Sequence, residues 1–224
     1  MGISVYSISK NSKLLGLAAG FAIFVLAVTV LLWYVAQGVG AAEDLAGSSD
    51  PNERKQAVER LRGKKGGAAR RVLSALSKDT DKWVAIRAVR TLSENRSPDS
   101  RDLLQKIVQD QSYNPSARGE AAAELGKYKD VDPAVLTQAL IGDTNAETRA
   151  GAAKGLTRLR KPETLPELVK ALEDKDARVR IWAITGIHKM IARRFPYDAR
   201  KPPHTQRQEI LRIRQYLKSC NVLR

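Results

Sequence analysis

Residues that could bind a metal ion or act as a nucleophile are scarce in this sequence. It contains two histidines, His188 and His204, and one cysteine, Cys220. Neither histidine has a second histidine or cysteine at the spacing of a metal site, and no base stands beside Cys220. A phosphate-binding loop of the Walker type is also missing, because the Gly66-Gly67 pair follows two lysines instead of preceding one. We therefore expect no catalytic residues, no bound metal or cofactor, and no enzyme activity.

Basic side chains form two clusters that could contact an anionic partner. The net charge is +15, and the clusters lie within residues 60–71 and near the C-terminus. The candidate residues are Lys64, Lys65, Arg70 and Arg71 in the first cluster and Arg193, Arg194, Arg200 and Lys201 in the second. A solvated charged face explains each cluster as well as a binding role does. Anionic lipid is one possible partner, and nucleic acid is the less favoured one because few aromatic residues interleave with the basic ones.

A repeated pattern predicts the helices that must carry these side chains. A basic residue is followed three positions later by alanine and seven positions later by leucine or isoleucine. The pattern occurs at Arg54, Ala57, Leu61; at Arg118, Ala121, Leu125; at Arg149, Ala152, Leu156; and at Arg180, Ala183, Ile187. A fifth copy keeps Ala88 and Leu92 but has Ala85 in place of the arginine. This spacing places the repeated residues on one helical face.

Second apolar stretches between these helices complete a hairpin unit. The leucine or isoleucine positions recur at intervals of 31, 33, 31 and 31 residues. Ser97 before Pro98 and Asp132 before Pro133 are signals for the start of the intervening helices. The sequence therefore predicts an all-α protein, an α-solenoid of about five helical hairpins.

Three aspartates recur six residues before the arginine position of the pattern. They are Asp79, Asp143 and Asp174, and the last two precede Arg149 and Arg180. In a stack of hairpins such residues can cap helix starts and pair with the arginine of a neighbouring repeat. We therefore expect an Asp–Arg ladder with a structural role.

Two stretches carry a resemblance to a known family. PETLPELVKALEDKDARVRIWAITGI (162–187) has a proline-initiated helix, leucines, an aspartate turn, then Val-Arg and spaced alanines, and DTNAETRAGAAKGL (143–156) has the second half of that pattern. They resemble HEAT-like repeats, which include the phycobilisome-lyase type, and the resemblance extends over about residues 48–218. It implies a solenoid that binds partners instead of catalysing a reaction, with a lyase-like or chaperone role as an alternative.

The N-terminal part has the features of a membrane anchor. Residues 14–36 run for 23 positions without a charge, which is long enough for a transmembrane helix, whereas a cleaved signal peptide has a shorter apolar core. The sequence thus divides into a flank (1–13), a transmembrane helix (14–36), a linker with coil dimensions (37–49) and a repeat domain (50–224). Lys10 and Lys13 slightly favour an inside N-terminus, which places the repeats on the extracytoplasmic side.

These features together favour a single-pass, membrane-anchored scaffold. Its partner is expected to be an unidentified protein that contacts the second helix of each hairpin, and its membrane contact is made through residues 14–36. A lyase-like role, and binding of nucleic acid or anionic lipid through the basic clusters, are the alternatives.

Overall fold

The computed structural model describes residues 21–30 and 38–222, and within these ranges the regular structure is helical, with no strand. Residues 21–30 form a helical segment. The helices that follow are α1 (38–46), α2 (Pro51–Leu61), α3 (Gly67–Leu76), α4 (Lys82–Glu94), α5 (Pro98–Gln109), α6 (Pro115–Leu125), α7 (Pro133–Gly142), α8 (Ala146–Leu159), α9 (Leu165–Lys170), α10 (Ala177–Ile191) and α11 (Arg207–Ser219). Short 3₁₀ turns occupy Pro162–Thr164, Ala171–Glu173 and Pro203–Gln206.

Side-chain caps and prolines explain where most helices begin. The capping residues are Asp50, Asp81, Ser97, Asn114, Asp132, Asn145 and Asp176, whose side chains accept backbone N–H groups of the first turn. Proline occupies the first turn of α2, α5, α6 and α7, where its missing N–H costs nothing. The caps predicted at Ser97 and Asp132 are confirmed. Helix α9 differs, because it continues from a 3₁₀ turn without a side-chain cap.

The helices stack in two layers. The second helices of the hairpins, α2, α4, α6, α8 and α10, contact one another in chain order, and the first helices α3, α5, α7 and α9 do the same. The repeated alanines and the leucine or isoleucine positions of the pattern are at most 1% exposed. The all-α helical repeat architecture is therefore confirmed, with the core lying between the two layers.

Helices α6 and α8 approach each other most closely through glycines. A Cβ atom on Gly151 would lie 2.6 Å from Gly119 Cα, and one on Gly119 would lie 2.5 Å from the carbonyl oxygen of Glu147. Only glycine permits this backbone contact, because any Cβ atom would overlap the neighbouring helix.

The Asp–Arg ladder is present. Arg54 pairs with Asp79, Arg118 with Asp143 and Arg149 with Asp174, each across 25 residues. Each aspartate also accepts a backbone N–H two residues further on, which orders the turn before the next second helix. The helices themselves are capped by Asp81, Asn145 and Asp176. The ladder aspartates are therefore not the caps; each accepts the backbone N–H of the capping residue.

The irregular segment after α10 closes the last hairpin. Phe195, Tyr197 and Ala199 are buried, and the Tyr197 hydroxyl donates to the carbonyl oxygen of Leu172 over 2.5 Å. Arg180 donates to the carbonyl oxygens of Ala199 and Lys201 instead of to a carboxylate. Helix α11 then covers this end with Ile210, Ile213 and Leu217.

The N-terminal region corrects one expectation. Residues 37–49 were expected to be a coil, but residues 38–46 form α1, and Ala42 is fully buried in the hydrophobic core. The apolar residues of α1 explain the difference, because Val39, Leu45 and Ala46 also pack against the core. Of the anchor predicted at 14–36, residues 14–20 and 31–36 lie outside the described residues, as does the flank 1–13. The described helices include none with both the length and the apolar character that a membrane crossing requires.

Candidate partner-binding groove on the second-helix face

A groove of about 300 Å³ crosses the second helices α4, α6, α8 and α10. We call it the tryptophan groove, because Trp83 of α4 and Trp182 of α10 lie at its two sides. It is lined by Lys82, Trp83, Ile86, Ser116, Gly119, Glu120, Ala123, Glu147, Ala150, Gly151, Lys154, Arg178 and Trp182. Trp83 is 57% exposed, so an indole ring faces solvent on a folded domain.

Differences in side-chain size explain the shape of this groove. The two central helices contribute small residues, namely Gly119 and Ala123 from α6 and Ala150 and Gly151 from α8. The flanking helices α4 and α10 contribute the two tryptophans, and Glu120, Glu147 and Lys154 of the central helices also line the groove. A floor of small residues between aromatic walls produces a depression two helices wide, which can accept side chains from another molecule.

A second groove of about 520 Å³ adjoins the first along α4, α6 and α8. We call it the basic groove, and it is lined by Arg90, Ser93, Glu94, Arg96, Glu120, Glu124, Lys127, Lys154 and Arg158. Glu120 and Lys154 line both grooves. The two depressions therefore form one continuous surface, with an aromatic part and a charged part.

Most carboxylates in the basic groove are paired within the protein. Glu120 accepts a hydrogen bond from Arg90 over 2.7 Å, and Glu94 is paired with Arg62 over 3.0 Å. Glu124 is held by Lys127 and Ser93 over 2.6 and 2.7 Å. Burial acts to raise the pKa of Glu124, but hydrogen bonds from Lys127 and Ser93 outweigh it, so the pKa is lowered and the group is ionised at neutral pH.

Lys154 stands at the junction of the two grooves. Its ammonium lies 5.4 Å from the ring centre of Trp182, within cation–π range. Partial burial, and secondarily the nearby charge of Arg158, lower the pKa of Lys154. In the part of the chain that the structure describes, no carboxylate lies within ion-pair distance of this ammonium. Lys154 is thus a half-buried cation with an aromatic neighbour and no ion-paired carboxylate, although the charges of Glu120 and Glu124 oppose the lowering of its pKa.

The first predicted basic cluster lies at the α2–α3 loop and along α3. Arg70 is paired with Asp99 over 2.6 Å, whereas Arg71 is exposed. Both line a groove of about 470 Å³ between α3 and α5. Lys64 folds back toward the N-terminal region, since a Cβ atom at residue 38 would lie 3.4 Å from Lys64 Nζ.

The second predicted cluster is partly used inside the protein. The Arg193 guanidinium lies 4.3 Å from the ring centre of Tyr216, and Arg200 pairs with Asp198 over 3.1 Å. Arg194 and Lys201 are exposed. The two clusters belong to the first and the last units of the stack, so the structure does not bring them together in one site.

Of the residues first examined as metal ligands or nucleophiles, His188 has a structural role. His188 Nε2 accepts the backbone N–H of Phe195 over 3.1 Å, and burial together with Arg194 lowers the pKa of His188. Cys220 is exposed. Within residues 21–30 and 38–222, no cluster of histidine, cysteine or carboxylate side chains has the arrangement of a metal site.

Sequence reasoning missed both grooves. Trp83 lies two positions before Ala85, and Trp182 lies two positions after Arg180, on the solvent side of the amphipathic helices. A large aromatic residue on the polar side of an otherwise regular helix was the available signal. The position of Lys154 between the two tryptophans could not be read from spacing, because it depends on how four helices cross.

Comparison with known families gives a single result. A model described as HEAT repeats matches residues 69–135 and 133–194. The match describes HEAT repeats in general and does not distinguish the phycobilisome-lyase type. A search of curated protein sequences found no match.

Proposed function

Because the matched residues make up more than half of its length, the chain belongs to the HEAT-repeat family, and from this premise we propose that it is a membrane-tethered scaffold that binds a partner protein in the tryptophan groove. The observation that carries this proposal is the exposed indole of Trp83 in a groove that also contains Trp182 and the small residues of α6 and α8. No enzymatic step is needed to account for that surface.

The composition of the groove supports protein binding. Tryptophan and arginine are the residue types that most often dominate the energy of protein interfaces, and both line this surface. Ile181 of α10 is a further apolar residue exposed to solvent, at 41%. An aromatic and apolar surface that contributes little to folding is best explained by contact with another molecule.

The tether is proposed from residues 14–36, whose 23 uncharged positions match the thickness of a bilayer. Helix α1, which is described from residue 38, packs against the repeat core, so the solenoid would start at the membrane surface. We place the repeats on the extracytoplasmic side. Addition of protease to intact cells tests this, since cleavage of the repeats is expected and full protection would place them inside.

Photo-crosslinking in cells tests the partner-binding proposal. A photoreactive residue at position 82, in the groove, should capture a specific protein, and Trp83→Ala with Trp182→Ala should abolish that product. The matched control is position 141 on α7, where Ile141 is 58% exposed but lies away from the groove. An identical product from position 141, or a product unaffected by the tryptophan substitutions, would contradict the proposal.

Anionic lipid is a second candidate ligand, and the position of Lys64 favours it. Its ammonium lies beside residue 38, two residues beyond the proposed membrane span. The α2–α3 loop, with Lys64 and Lys65, would therefore lie at the level of the lipid headgroups. A basic residue near an anionic membrane surface contributes about 1 kcal/mol to binding.

Hydrogen exchange in lipid nanodiscs tests this second candidate. Amides of residues 62–68 should exchange more slowly in discs that contain anionic lipid than in neutral discs. The difference should disappear in the Lys64→Gln, Lys65→Gln double variant. Equal exchange in the two lipids would remove the lipid-binding role.

A further inference from the structure

The charge of the combined grooves is unbalanced toward the positive. The cations that line them are Lys82, Arg90, Arg96, Lys127, Lys154, Arg158 and Arg178, and the carboxylates are Glu94, Glu120, Glu124 and Glu147. Every one of these four carboxylates is already paired with an arginine or lysine of the same chain. Arg158 also pairs with Glu124, over 3.4 Å, so that Lys82, Arg96 and Lys154 are the lining cations without a carboxylate at ion-pair distance among the described residues.

Arg96 and Lys154 are the two unpaired cations of the basic groove. Arg96 follows the end of α4 in a left-handed backbone conformation, with φ of 44°, and is exposed. Lys154 is half-buried at the junction with the tryptophan groove. An ammonium held in a partly desolvated position without a carboxylate is less stable than one in water, and an incoming anion relieves that cost.

We infer that the segment that occupies this surface is acidic, with an apolar side chain on the small residues of α6 and α8 and a carboxylate that pairs with the ammonium of Lys154. This inference rests on the proposed partner-binding function. It adds the chemistry of the partner, which is a peptide segment with an Asp or Glu beside an apolar residue.

A nucleic acid fits this surface less well than an acidic peptide. The carboxylates of Glu94, Glu120 and Glu124 line the same groove as the cations, and a chain of phosphates would meet them at regular intervals. A single carboxylate can reach Lys154 while avoiding them. The small floor between the tryptophans also accepts a side chain more readily than a base stacked against a sugar-phosphate backbone.

The tryptophans themselves provide the readout for a test. The chain has three tryptophans, and Trp33→Phe leaves only the two in the groove. The full chain in detergent is titrated with a short peptide of Glu, Asp and Leu, and with matched peptides in which Gln and Asn, or Lys, replace the acids. We expect saturable quenching or a spectral shift with the acidic peptide, weaker at high salt.

Substitution of Lys154 decides the role of its charge. Lys154→Gln should weaken binding of the acidic peptide about tenfold, which corresponds to about 1.4 kcal/mol. Lys106→Gln, at an exposed lysine of α5 that lines none of these grooves, is the matched control and should have no effect. Circular dichroism of each variant shows whether the helices are retained.

The possible outcomes separate the inference from the proposed function. Equal binding of the acidic and the neutral peptide, with loss on Trp83→Ala, would leave the groove as a protein site and overturn its acidic preference. An equal loss in Lys154→Gln and Lys106→Gln would show general charge attraction and also overturn it. Binding of single-stranded RNA through Lys154, in place of the peptide, would assign the site to nucleic acid.

Discussion

Two junctions in the stack, the one after α8 and the one after α4, hold neighbouring repeats together with different groups. At the first, Arg149 donates to both oxygens of Asp174 over 2.7 and 3.0 Å and to the carbonyl oxygens of Asp143 and Thr144. At the second, the arginine position is Ala85, which is fully buried and donates nothing from its side chain. The difference shows what the ladder arginine does.

Asn114 takes over part of the missing role at Ala85. Its side-chain Nδ2 donates to the carbonyl oxygen of Asp79 over 2.8 Å, the group equivalent to the one that Arg149 binds on Asp143. Asp110 lies 25 residues after Ala85, which is the position of the ladder aspartate in the other repeats. Like those aspartates, it accepts the backbone N–H of the residue two positions further on, here Ser112. The turn is present, but its arginine is absent.

The loop between Asp110 and Pro115 explains why the substitution is possible. The interval from Leu92 to Leu125 is 33 residues, two longer than the others. The extra length brings Tyr113 into the core and Asn114 against the preceding repeat. The ladder arginines therefore provide hydrogen bonds to buried carbonyl groups and align neighbouring repeats. A longer loop can provide part of this hydrogen bonding.

Removal of an arginine from an intact carboxylate rung should have the largest effect. The side chains of Arg118 and Asp143 are each 3% exposed. Arg118→Met leaves a buried carboxylate without its cation, and we expect a loss of about 3–5 kcal/mol in the free energy of unfolding. Urea denaturation followed by circular dichroism measures it.

The matched variant for this prediction is Arg118→Met combined with Asp143→Asn. The amide can still accept the N–H of Asn145 but carries no charge, so the double variant should be more stable than Arg118→Met alone. If both variants were equally unstable, the loss would come from packing and not from the unpaired charge.

Separation of α6 from α8 should have the next largest effect. Gly151→Ala places a methyl group against the backbone of Gly119, which no rotamer change can relieve. We expect the free energy of unfolding to fall by about 3 kcal/mol, which is at the upper end of the typical cost of overpacking a core. Thermal denaturation measures the change. Gly142→Ala is the control, because a Cβ atom there meets nothing within 4 Å. Equal effects of the two substitutions would mean that the close crossing does not matter.

The sequence predicted the parts of the fold that depend on local pattern. The alanines and leucines of the second helices are periodic, so the hairpins and their register could be predicted, and the regular spacing of Asp143 and Asp174 revealed the ladder. Asp110 was missed because two inserted residues shift it out of register with Arg118. The grooves were missed because Trp83, Lys154 and Trp182 belong to different helices, and only the crossing of those helices brings them together.

Arg180 occupies the arginine position of the last repeat but donates to backbone carbonyl oxygens instead of to an aspartate. The stability of this end of the stack should depend on alkaline pH. Burial raises the pKa of Tyr197 to about 12, and its hydroxyl fixes the segment whose carbonyl oxygens accept from Arg180. Above about pH 10 the unfolded chain loses this proton while the folded chain keeps it. The stabilisation is fully present below pH 10 and is lost as pH rises toward 12, a change of about 2–3 kcal/mol.

Comparison of two tyrosine variants isolates that effect. The decrease in the free energy of unfolding between pH 9.5 and 11.5, about the range around the ordinary tyrosine pKa, should be smaller in Tyr197→Phe than in the unmodified chain. Tyr216→Phe, which keeps the ring against Phe195, should leave the decrease unchanged. A decrease that is the same in all three proteins would show that the Tyr197 hydroxyl is not the group responsible.

The smallest expected effect tests whether Asn114 replaces the missing arginine. Asn114 and Asn145 are both helix caps, with Oδ1 accepting the N–H of Ser116 over 2.9 Å and that of Glu147 over 2.8 Å. Asn145→Ala removes only a cap and should cost about 1 kcal/mol. Asn114→Ala also leaves the carbonyl oxygen of Asp79 without its hydrogen-bond donor. It should therefore lower the free energy of unfolding by about 1 kcal/mol more than Asn145→Ala does, as measured by urea denaturation. Hydrogen exchange should locate the extra loss at the α4–α6 junction, and equal costs for the two substitutions would mean that Asn114 serves only its own helix.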